Sequence, residues 1–265
     1  MYGYCYIGVV PIRKDSNSYC EQVSQLLFGD IVSIEKEENG WLLIKTIEDN
    51  YEGFVDKRNL IVFSQEDNQE LFAKNEELVK NYSVFLTCSL LSNIEMIKNN
   101  KKTLIPIPFC SKIIGKTYSI NDTTFTIDDN HLTKKLSFNL INLEKIAKTY
   151  LNCPYQWGGK SVFGIDCSGF TQNVFRFFDI YLNRDASQQA LQGKTIENIN
   201  DIQTGDLCFF DNKNKHITHV GIYLKNNMII HSSGRVRIDT IDTKGIFDKE
   251  NNEYSHSLCL IKRML

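Results

Sequence analysis

Short apolar runs separated by turn residues fill the first 62 positions of the chain. The runs are Ile7–Ile12, Gly29–Ile34, Gly40–Ile44 and Gly53–Val55. Their spacing of about ten residues, with glycine ahead of several runs, is typical of short strands joined by tight turns. Residues 1–62 are therefore predicted to form a small all-β barrel.

Residues 63–140 are predicted to contain a linker and a second, more divergent module of the same kind. Positions 64–81 are polar and charged, and either a short helix or a solvated connector fits them. Strand signals then return, with a loop at 98–102. The predicted strands of this module are Val84–Leu86, Thr103–Pro108 and Thr123–Ile127.

The apolar pattern changes to a helical period from about residue 141. One predicted helix ends before Cys153-Pro154, and a second begins near Asp166-Cys167. Three apolar runs follow, Asp206–Phe210, Thr218–Leu224 and Met228–Ser232. Helices followed by strands predict an α+β domain over residues 141–265.

Composition narrows the class of protein. The chain has 265 residues, 42% hydrophobic and 23% charged, and a net charge of −2, which gives no electrostatic case for nucleic acid or an anionic membrane. No apolar run approaches the roughly 20 residues that span a bilayer. The first residues do not resemble a signal peptide, so we expect a cytoplasmic protein with reduced cysteines. We also expect the protein to be a monomer.

Cys167 is the candidate nucleophile. It lies in the first turn of a predicted helix, capped by Asp166, where the helix dipole and a neighbouring imidazolium would lower the pKa of its thiol. The small residues Ser168 and Gly169 leave room for a substrate. Taken alone, however, a cysteine here is more often a small core residue.

Two histidines strengthen the case for catalysis. His219 and His231 interrupt apolar strands that a loop at 225–227 would join as a hairpin. A three-residue loop pairs Leu224 with Met228 and puts both imidazoles on one face, whereas a two-residue turn at Asn226-Asn227 puts them on opposite faces. We expect the three-residue loop.

These residues divide the work of thiol catalysis. His219 would take the proton of the Cys167 thiol, and His231 would orient the His219 ring. The N–H of Cys167 and the Tyr155 hydroxyl would stabilise the oxyanion. His216 and His219 would not lie on the same face of a strand, so we expect no metal site. We also expect no cofactor. His131 and His256 have no supporting context in the sequence, and we expect them on the surface.

Five motifs follow one another along the C-terminal domain: Tyr155–Gly159, Asp166–Phe170, Gly205–Leu207, His219–Tyr223 and Ile230-His231. Together they resemble the NlpC/p60 cysteine peptidases, which are papain-like in fold. The resemblance implies cleavage of peptidoglycan stem peptides beside D-glutamate by Cys167, His219 and His231, with Tyr155 near the oxyanion. In the first 62 residues, Gly29-Asp30, Gly40-Trp41 and Tyr51–Val55 resemble a bacterial SH3-like barrel. With the more divergent module expected in residues 63–140, two such barrels would precede the catalytic domain.

This arrangement resembles a subgroup of γ-D-glutamyl-L-diamino acid endopeptidases, which act on murein-derived peptides with a free N-terminal L-alanine. The resemblance implies that Asp185 binds the free amine, that Trp157 lines the pocket and that Ser168 or Ser187 binds the D-glutamate carboxylate. Asp15, with Glu21 as an alternative, and Tyr51 would be contributed by the first barrel. Two alternatives stay open: an amidase or acyltransferase on the same fold, and a non-catalytic wall-binding protein.

Overall fold

The computed structural model describes residues 1–64, 66 and 85–264. It divides into an N-terminal unit, Met1–Lys135 with Lys160–Val162, and a C-terminal unit, Leu136–Gly159 with Phe163–Leu265. The polar stretch predicted as a helix or connector lies almost wholly outside the described residues, as does the first residue of the run predicted at Val84–Leu86.

The first module of the N-terminal unit is an antiparallel sheet in the order β3-β2-β6-β5-β4-β1-β7. Alternate residues of its strands, such as Val10 and Ile12 or Leu42 and Ile44, point into one apolar core, as the two-residue period of a strand requires. A 3-10 turn at Lys57–Asn59 leads into the last strand. The strands are β1 (Tyr2–Cys5), β2 (Val9–Arg13), β3 (Gln22–Leu27), β4 (Ile31–Glu38), β5 (Trp41–Thr46), β6 (Glu52–Asp56) and β7 (Leu60–Phe63).

The second module of the same unit consists of two small sheets. They contain β8 (Phe85–Thr87), β9 (Leu91–Lys98), β10 (Lys101–Pro108), β11 (Lys112–Ile113), β12 (Thr117–Ile120), β13 (Thr123–Thr126) and β14 (Leu132–Thr133), and a 3-10 turn at Asp129–His131 precedes β14. Tyr4 and Phe28 of the first module pack with Phe125 of the second, and the Tyr4 and Tyr118 hydroxyls lie 2.7 Å apart. The two β modules therefore share one apolar core.

Helices open the C-terminal unit and strands complete it. The helices are α1 (Leu140–Thr149), α2 (Cys167–Arg176) and α3 (Ala186–Gln189), with a 3-10 turn at Ile199–Asp201. The strands are β16 (Gly164–Ile165), β17 (Lys194–Thr195), β18 (Leu207–Asp211), β19 (Ile217–Leu224), β20 (Met228–Ser233), β21 (Arg235–Ile241), β22 (Gly245–Asp248) and β23 (Glu253–Arg263); β15 (Lys160–Ser161) belongs to the N-terminal unit. Both predicted helices and the three predicted strand runs of this domain are confirmed.

The large sheet of the C-terminal unit runs β17-β23-β18-β19-β20-β21-β22 and closes on itself because β22 also pairs with β23. Helix α2 packs against β19 and β20. One face of the closed sheet is apolar at Cys208, Phe210, Tyr223, Ile229, Ile241, Ile246 and Ile261. The register of the pairings puts His219, His231, Asp239 and His256 on that same face, where they form its polar end.

Candidate active site

Helix α2 begins at Cys167 because Asp166 caps it. The Asp166 carboxylate accepts hydrogen bonds from the N–H of Gly169 at 2.7 Å and from the N–H of Gly158 at 2.9 Å. These bonds satisfy one of the backbone donors that a helix leaves without a partner at its start, and they tie the turn at 157–159 to the helix. The predicted cap is confirmed.

A buried arginine completes the support beneath Cys167. Both terminal nitrogens of Arg184 donate to the Asp166 carboxylate, at 3.0 and 2.5 Å, and one of them also donates to Ser168 Oγ at 2.8 Å. Arg184 is only 2% exposed. This fork-shaped ion pair between Arg184 and Asp166 was not predicted from the sequence.

The Cys167 sulfur lies in a buried position between α2 and β19. It accepts hydrogen bonds from the N–H of Val220, the residue next to His219, and from the N–H of Ser168. Burial, reinforced by the Asp166 carboxylate, outweighs these bonds and raises the pKa of Cys167 to about 12. The expectation of a lowered thiol pKa was therefore wrong: the resting group is a neutral thiol.

The β19–β20 hairpin confirms the predicted register. Leu224 pairs with Met228 and Gly221 with His231, across a three-residue loop in which Asn226 and Asn227 adopt φ values of 62° and 55°. Asparagine tolerates this left-handed conformation better than most residues. The two imidazoles share a face, as predicted, and His219 Nε2 lies 2.8 Å from His231 Nδ1.

Asp239 on β21 extends this pair and was not predicted. Its Oδ2 lies 2.9 Å from His231 Nε2, and Arg237 Nε approaches the same oxygen at 2.7 Å. Since β20 pairs with β21 through Ile229 and Asp239, the carboxylate falls on the face that carries His231. The signal was the alternation of polar and apolar residues in Arg235–Ile241, which continues the two-residue period of the hairpin.

His256 on β23 was expected on the surface, and that expectation was wrong. Its ring stacks on His219 with centroids 4.1 Å apart and an interplanar angle of 26°. Burial and the neighbouring His231 lower the pKa of His256 to about 4. Burial, together with His231 and His256, also holds the pKa of His219 well below its usual value, so both rings are neutral near pH 7.

Tyr155 and Trp157 lie in the turn that precedes α2. The backbone N–H of Tyr155 donates to Gly234 O at 2.9 Å, and its side chain is 37% exposed. Burial and the nearby Cys167 and Asp166 raise the pKa of the Tyr155 hydroxyl to about 12, so it keeps its proton and can donate. Trp157 is 63% exposed, so its ring is accessible to a bound peptide, as the predicted role in lining the pocket requires.

The residues predicted for substrate binding near α3 differ in accessibility. Asp185 is the half-buried N-cap of α3, and its N–H donates to Gln188 Oε1 at 3.1 Å. Ser187 is exposed, whereas Ser168 is buried with its Oγ within reach of Asp166 and Arg184.

The candidates from the first module lie in the N-terminal unit. Asp15 follows β2, and its Oδ1 accepts from the N–H of Ser16 at 2.7 Å. Glu21 pairs with Lys14 at 3.5 Å. Tyr51 precedes β6, is half-buried, and donates its N–H to Thr46 Oγ1 at 2.8 Å.

Two findings concern other kinds of site. Within the described ranges, 1–64, 66 and 85–264, no group of three or more His, Cys, Asp or Glu side chains is arranged to hold a metal ion. In that same part of the chain, none of the helices has the length and apolar character needed to cross a bilayer.

A capped cysteine at a helix start, beside a strand hairpin that carries two hydrogen-bonded histidines, defines a class of thiol hydrolase. The profile described as "NlpC/P60 family" matches residues 152–252, and that described as "Bacterial dipeptidyl-peptidase Sh3 domain" matches residues 12–60. The chain therefore contains an NlpC/P60 domain and a bacterial SH3 domain, and it is a cysteine peptidase.

Several named proteins are similar in sequence to this chain over most of its length. It is 27% identical to the gamma-D-glutamyl-L-lysine dipeptidyl-peptidase of Bacillus subtilis, over 91% of this chain and 80% of that protein. It is 26% identical to dipeptidyl-peptidase 6 of Lysinibacillus sphaericus, over 87% and 88% of the two chains. A solved NlpC/P60 family protein from Bacillus cereus matches with a TM-score of 0.79 at 18% identity, covering 100% of both chains, and this match supports the fold.

Proposed function

We propose that this protein hydrolyses the bond between γ-D-glutamate and an L-diamino acid, lysine or meso-diaminopimelate, in short murein peptides with a free N-terminal L-alanine. The released product is L-Ala-D-Glu, and the role is the recycling of cell-wall peptides in the cytoplasm. The observation that carries the proposal is the hydrogen bond between His219 Nε2 and His231 Nδ1. This pair lies close to the nucleophile, because Val220, the residue after His219, donates its backbone N–H to the Cys167 sulfur. Relatives named for γ-D-glutamyl-L-lysine cleavage support the choice of bond.

The chemistry begins with a neutral pair. His219 Nδ1, the ring nitrogen that does not face His231, takes the Cys167 proton as the sulfur attacks the γ-carbonyl carbon of D-glutamate. The N–H of Cys167 at the start of α2 and the Tyr155 hydroxyl donate to the oxyanion that forms. The C–N bond then breaks, and His219 gives its proton to the departing amine.

A water molecule completes the reaction. It loses a proton to His219 and attacks the thioester, which releases L-Ala-D-Glu and returns the proton to the Cys167 sulfur. Through both halves of the reaction His231 holds the His219 ring in place by the 2.8 Å hydrogen bond.

Recognition of the peptide would fall to charged and polar groups around the thiol. In this proposal, Asp185 pairs with the free ammonium of L-alanine, and Trp157 lines the pocket. Of the two serines, the exposed Ser187 is favoured for the D-glutamate carboxylate, because Ser168 is buried against Arg184. Asp15, or Glu21, and Tyr51 stay candidates from the first module.

The test uses L-Ala-γ-D-Glu-L-Lys, its meso-diaminopimelate counterpart and an N-acetylated copy of each, with mass spectrometry of the products. The free peptides should release L-Ala-D-Glu, and the acetylated copies should stay intact because their amine no longer carries a charge. Cys167→Ala should remove the activity, while Cys259→Ala, in the same unit, should retain it. Cleavage of the acetylated peptides at a comparable rate contradicts the free-amine requirement, and turnover by Cys167→Ala contradicts the nucleophile.

A further inference from the structure

Four side chains form a continuous line of contacts behind the thiol. His219 Nε2 lies 2.8 Å from His231 Nδ1, and His231 Nε2 lies 2.9 Å from Asp239 Oδ2. Arg237 closes the line, with Nε 2.7 Å from Asp239 Oδ2 and a terminal nitrogen 2.9 Å from Asp239 Oδ1. His231 is 1% exposed and Asp239 6%, so bulk water does not compete for these bonds.

With Asp239 ionised and His231 neutral, the hydrogen bonds along this line define the tautomer of each ring. An ionised carboxylate only accepts, so the proton in the Asp239 contact belongs to His231 Nε2. A neutral imidazole carries one N–H, which leaves His231 Nδ1 as an acceptor. The proton between the two rings therefore belongs to His219 Nε2, and His219 Nδ1 retains its lone pair.

We propose that Asp239 is a positioning residue that sets the tautomers of His231 and His219 in series and so keeps His219 Nδ1 free to receive the thiol proton. The inference rests on the proposed function, in which that nitrogen serves as the base. Without an acceptor at Asp239, His231 could carry its proton on Nδ1. His219 would then hold its own proton on Nδ1, where it blocks the transfer.

The surroundings of Asp239 keep it an acceptor. Burial acts to raise the pKa of this carboxyl, but hydrogen bonds from His231 and Arg237 outweigh it, and the pKa of Asp239 is lowered. Arg237 also donates to Asp248 at 3.0 Å, which anchors the guanidinium from its other side. The two Arg237 contacts hold both Asp239 oxygens, so the carboxylate cannot rotate away from His231.

The direct test is the tautomer of each ring in the unmodified protein without substrate. Nitrogen-15 NMR of histidine-labelled protein distinguishes an Nε2–H ring from an Nδ1–H ring, and His219→Gln and His231→Gln assign the two signals. The expected result is a proton on Nε2 alone in both His219 and His231. A proton on His219 Nδ1, or a doubly protonated His231, overturns the proposal.

Two matched variants test the consequence for catalysis. Asp239→Asn and Asp248→Asn each replace one carboxylate that accepts from Arg237, but only the first puts an amide, which can donate as well as accept, against His231 Nε2. Asp239→Asn should lower kcat about 10- to 100-fold with little change in KM, and it should give a mixed His219 tautomer. Asp248→Asn loosens Arg237 but leaves the Asp239 carboxylate on His231, so it should lower kcat far less than Asp239→Asn does and should keep both tautomers.

The outcomes separate this inference from the function on which it rests. An Asp239→Asn protein with kcat within twofold of wild type, or with reduced kcat and unchanged tautomers, overturns the role of Asp239. If Asp239→Asn does not fold, the tautomers of the unmodified protein decide. Activity retained by Cys167→Ala overturns the proposed function instead, whatever the tautomers are.

Discussion

At the scale of single residues, an absent side chain makes the histidine pair possible. Gly221 is the strand partner of His231, and a Cβ placed on it would lie 2.9 Å from His231 Cβ and 2.8 Å from Ile229 Cδ1. Real Cβ atoms do not approach so closely, because the overlap pushes neighbours from their rotamers. Glycine here gives the His231 ring room to reach both His219 and Asp239.

Gly221→Ala should therefore displace His231 and weaken its bond to His219. We expect kcat to fall about tenfold and the free energy of unfolding to fall by about 1–3 kcal/mol, the usual range for overpacking in a filled core. Gly115→Ala is the control, because a Cβ there would meet only Thr117 O, at 3.9 Å. Wild-type kcat and stability in Gly221→Ala would show that the sheet absorbs the methyl group.

The site histidines differ in how far sequence could predict them. His219 and His231 interrupt apolar strands one hairpin apart, so the period of the strands placed them on one face. Asp239 needed the same count carried across one more turn, at Gly234. His256 reaches His219 only because β22 and β23 close the sheet, and no local pattern contains that closure.

At the scale of elements, the start of α2 depends on one buried ion pair. Arg184 and Asp166 are 2% and 5% exposed, and their contact fixes the helix cap on which Cys167 depends. Removing one partner leaves a buried charge without compensation, which costs more than the pair itself contributes.

The strands after Ser233 were not predicted from the sequence, because polar residues occupy several of their inward-facing positions. A search for apolar runs does not detect such strands. These residues are Arg237, Asp239, Asp248 and His256.

Arg184→Met should lower the free energy of unfolding by about 3–5 kcal/mol, as expected when one partner of a buried ion pair is removed. Arg235→Met is matched in chemistry but affects an exposed pair with Glu250, and it should cost no more than about 1 kcal/mol. Urea denaturation followed by circular dichroism measures both. Equal losses in the two variants would show that the buried pair adds nothing to stability.

At the scale of the whole molecule, buried titratable groups restrict the pH range of stability from both sides. The pKa of His219 and the pKa of His256 are lowered on folding, so below pH 6.5 the unfolded chain binds protons that the folded chain does not. Stability should fall as the pH drops from 6.5 towards 4. Burial raises the pKa of the thiols of Cys5, Cys167 and Cys208, so stability should also fall as the pH rises above about 8.5.

His256→Phe tests the acid side, because it keeps an aromatic ring against His219 and removes one titrating group. Between pH 6.5 and 4 the loss of stability should become shallower by at most about 1.4 kcal/mol per pH unit, the limit for one proton. Unfolding in urea at a series of pH values gives the slope. An unchanged slope would show that His256 titrates alike in the folded and unfolded chains.

Because the Cys167 thiol is protonated at rest, it should react slowly with oxidants. Peroxides and alkylating agents attack thiolates, and a buried cysteine with a pKa of about 12 offers almost none at rest. The sulfur becomes vulnerable only while His219 holds its proton, which in the proposed mechanism happens with a peptide in place. An idle enzyme is thus shielded from the damage that a permanently activated cysteine would accumulate.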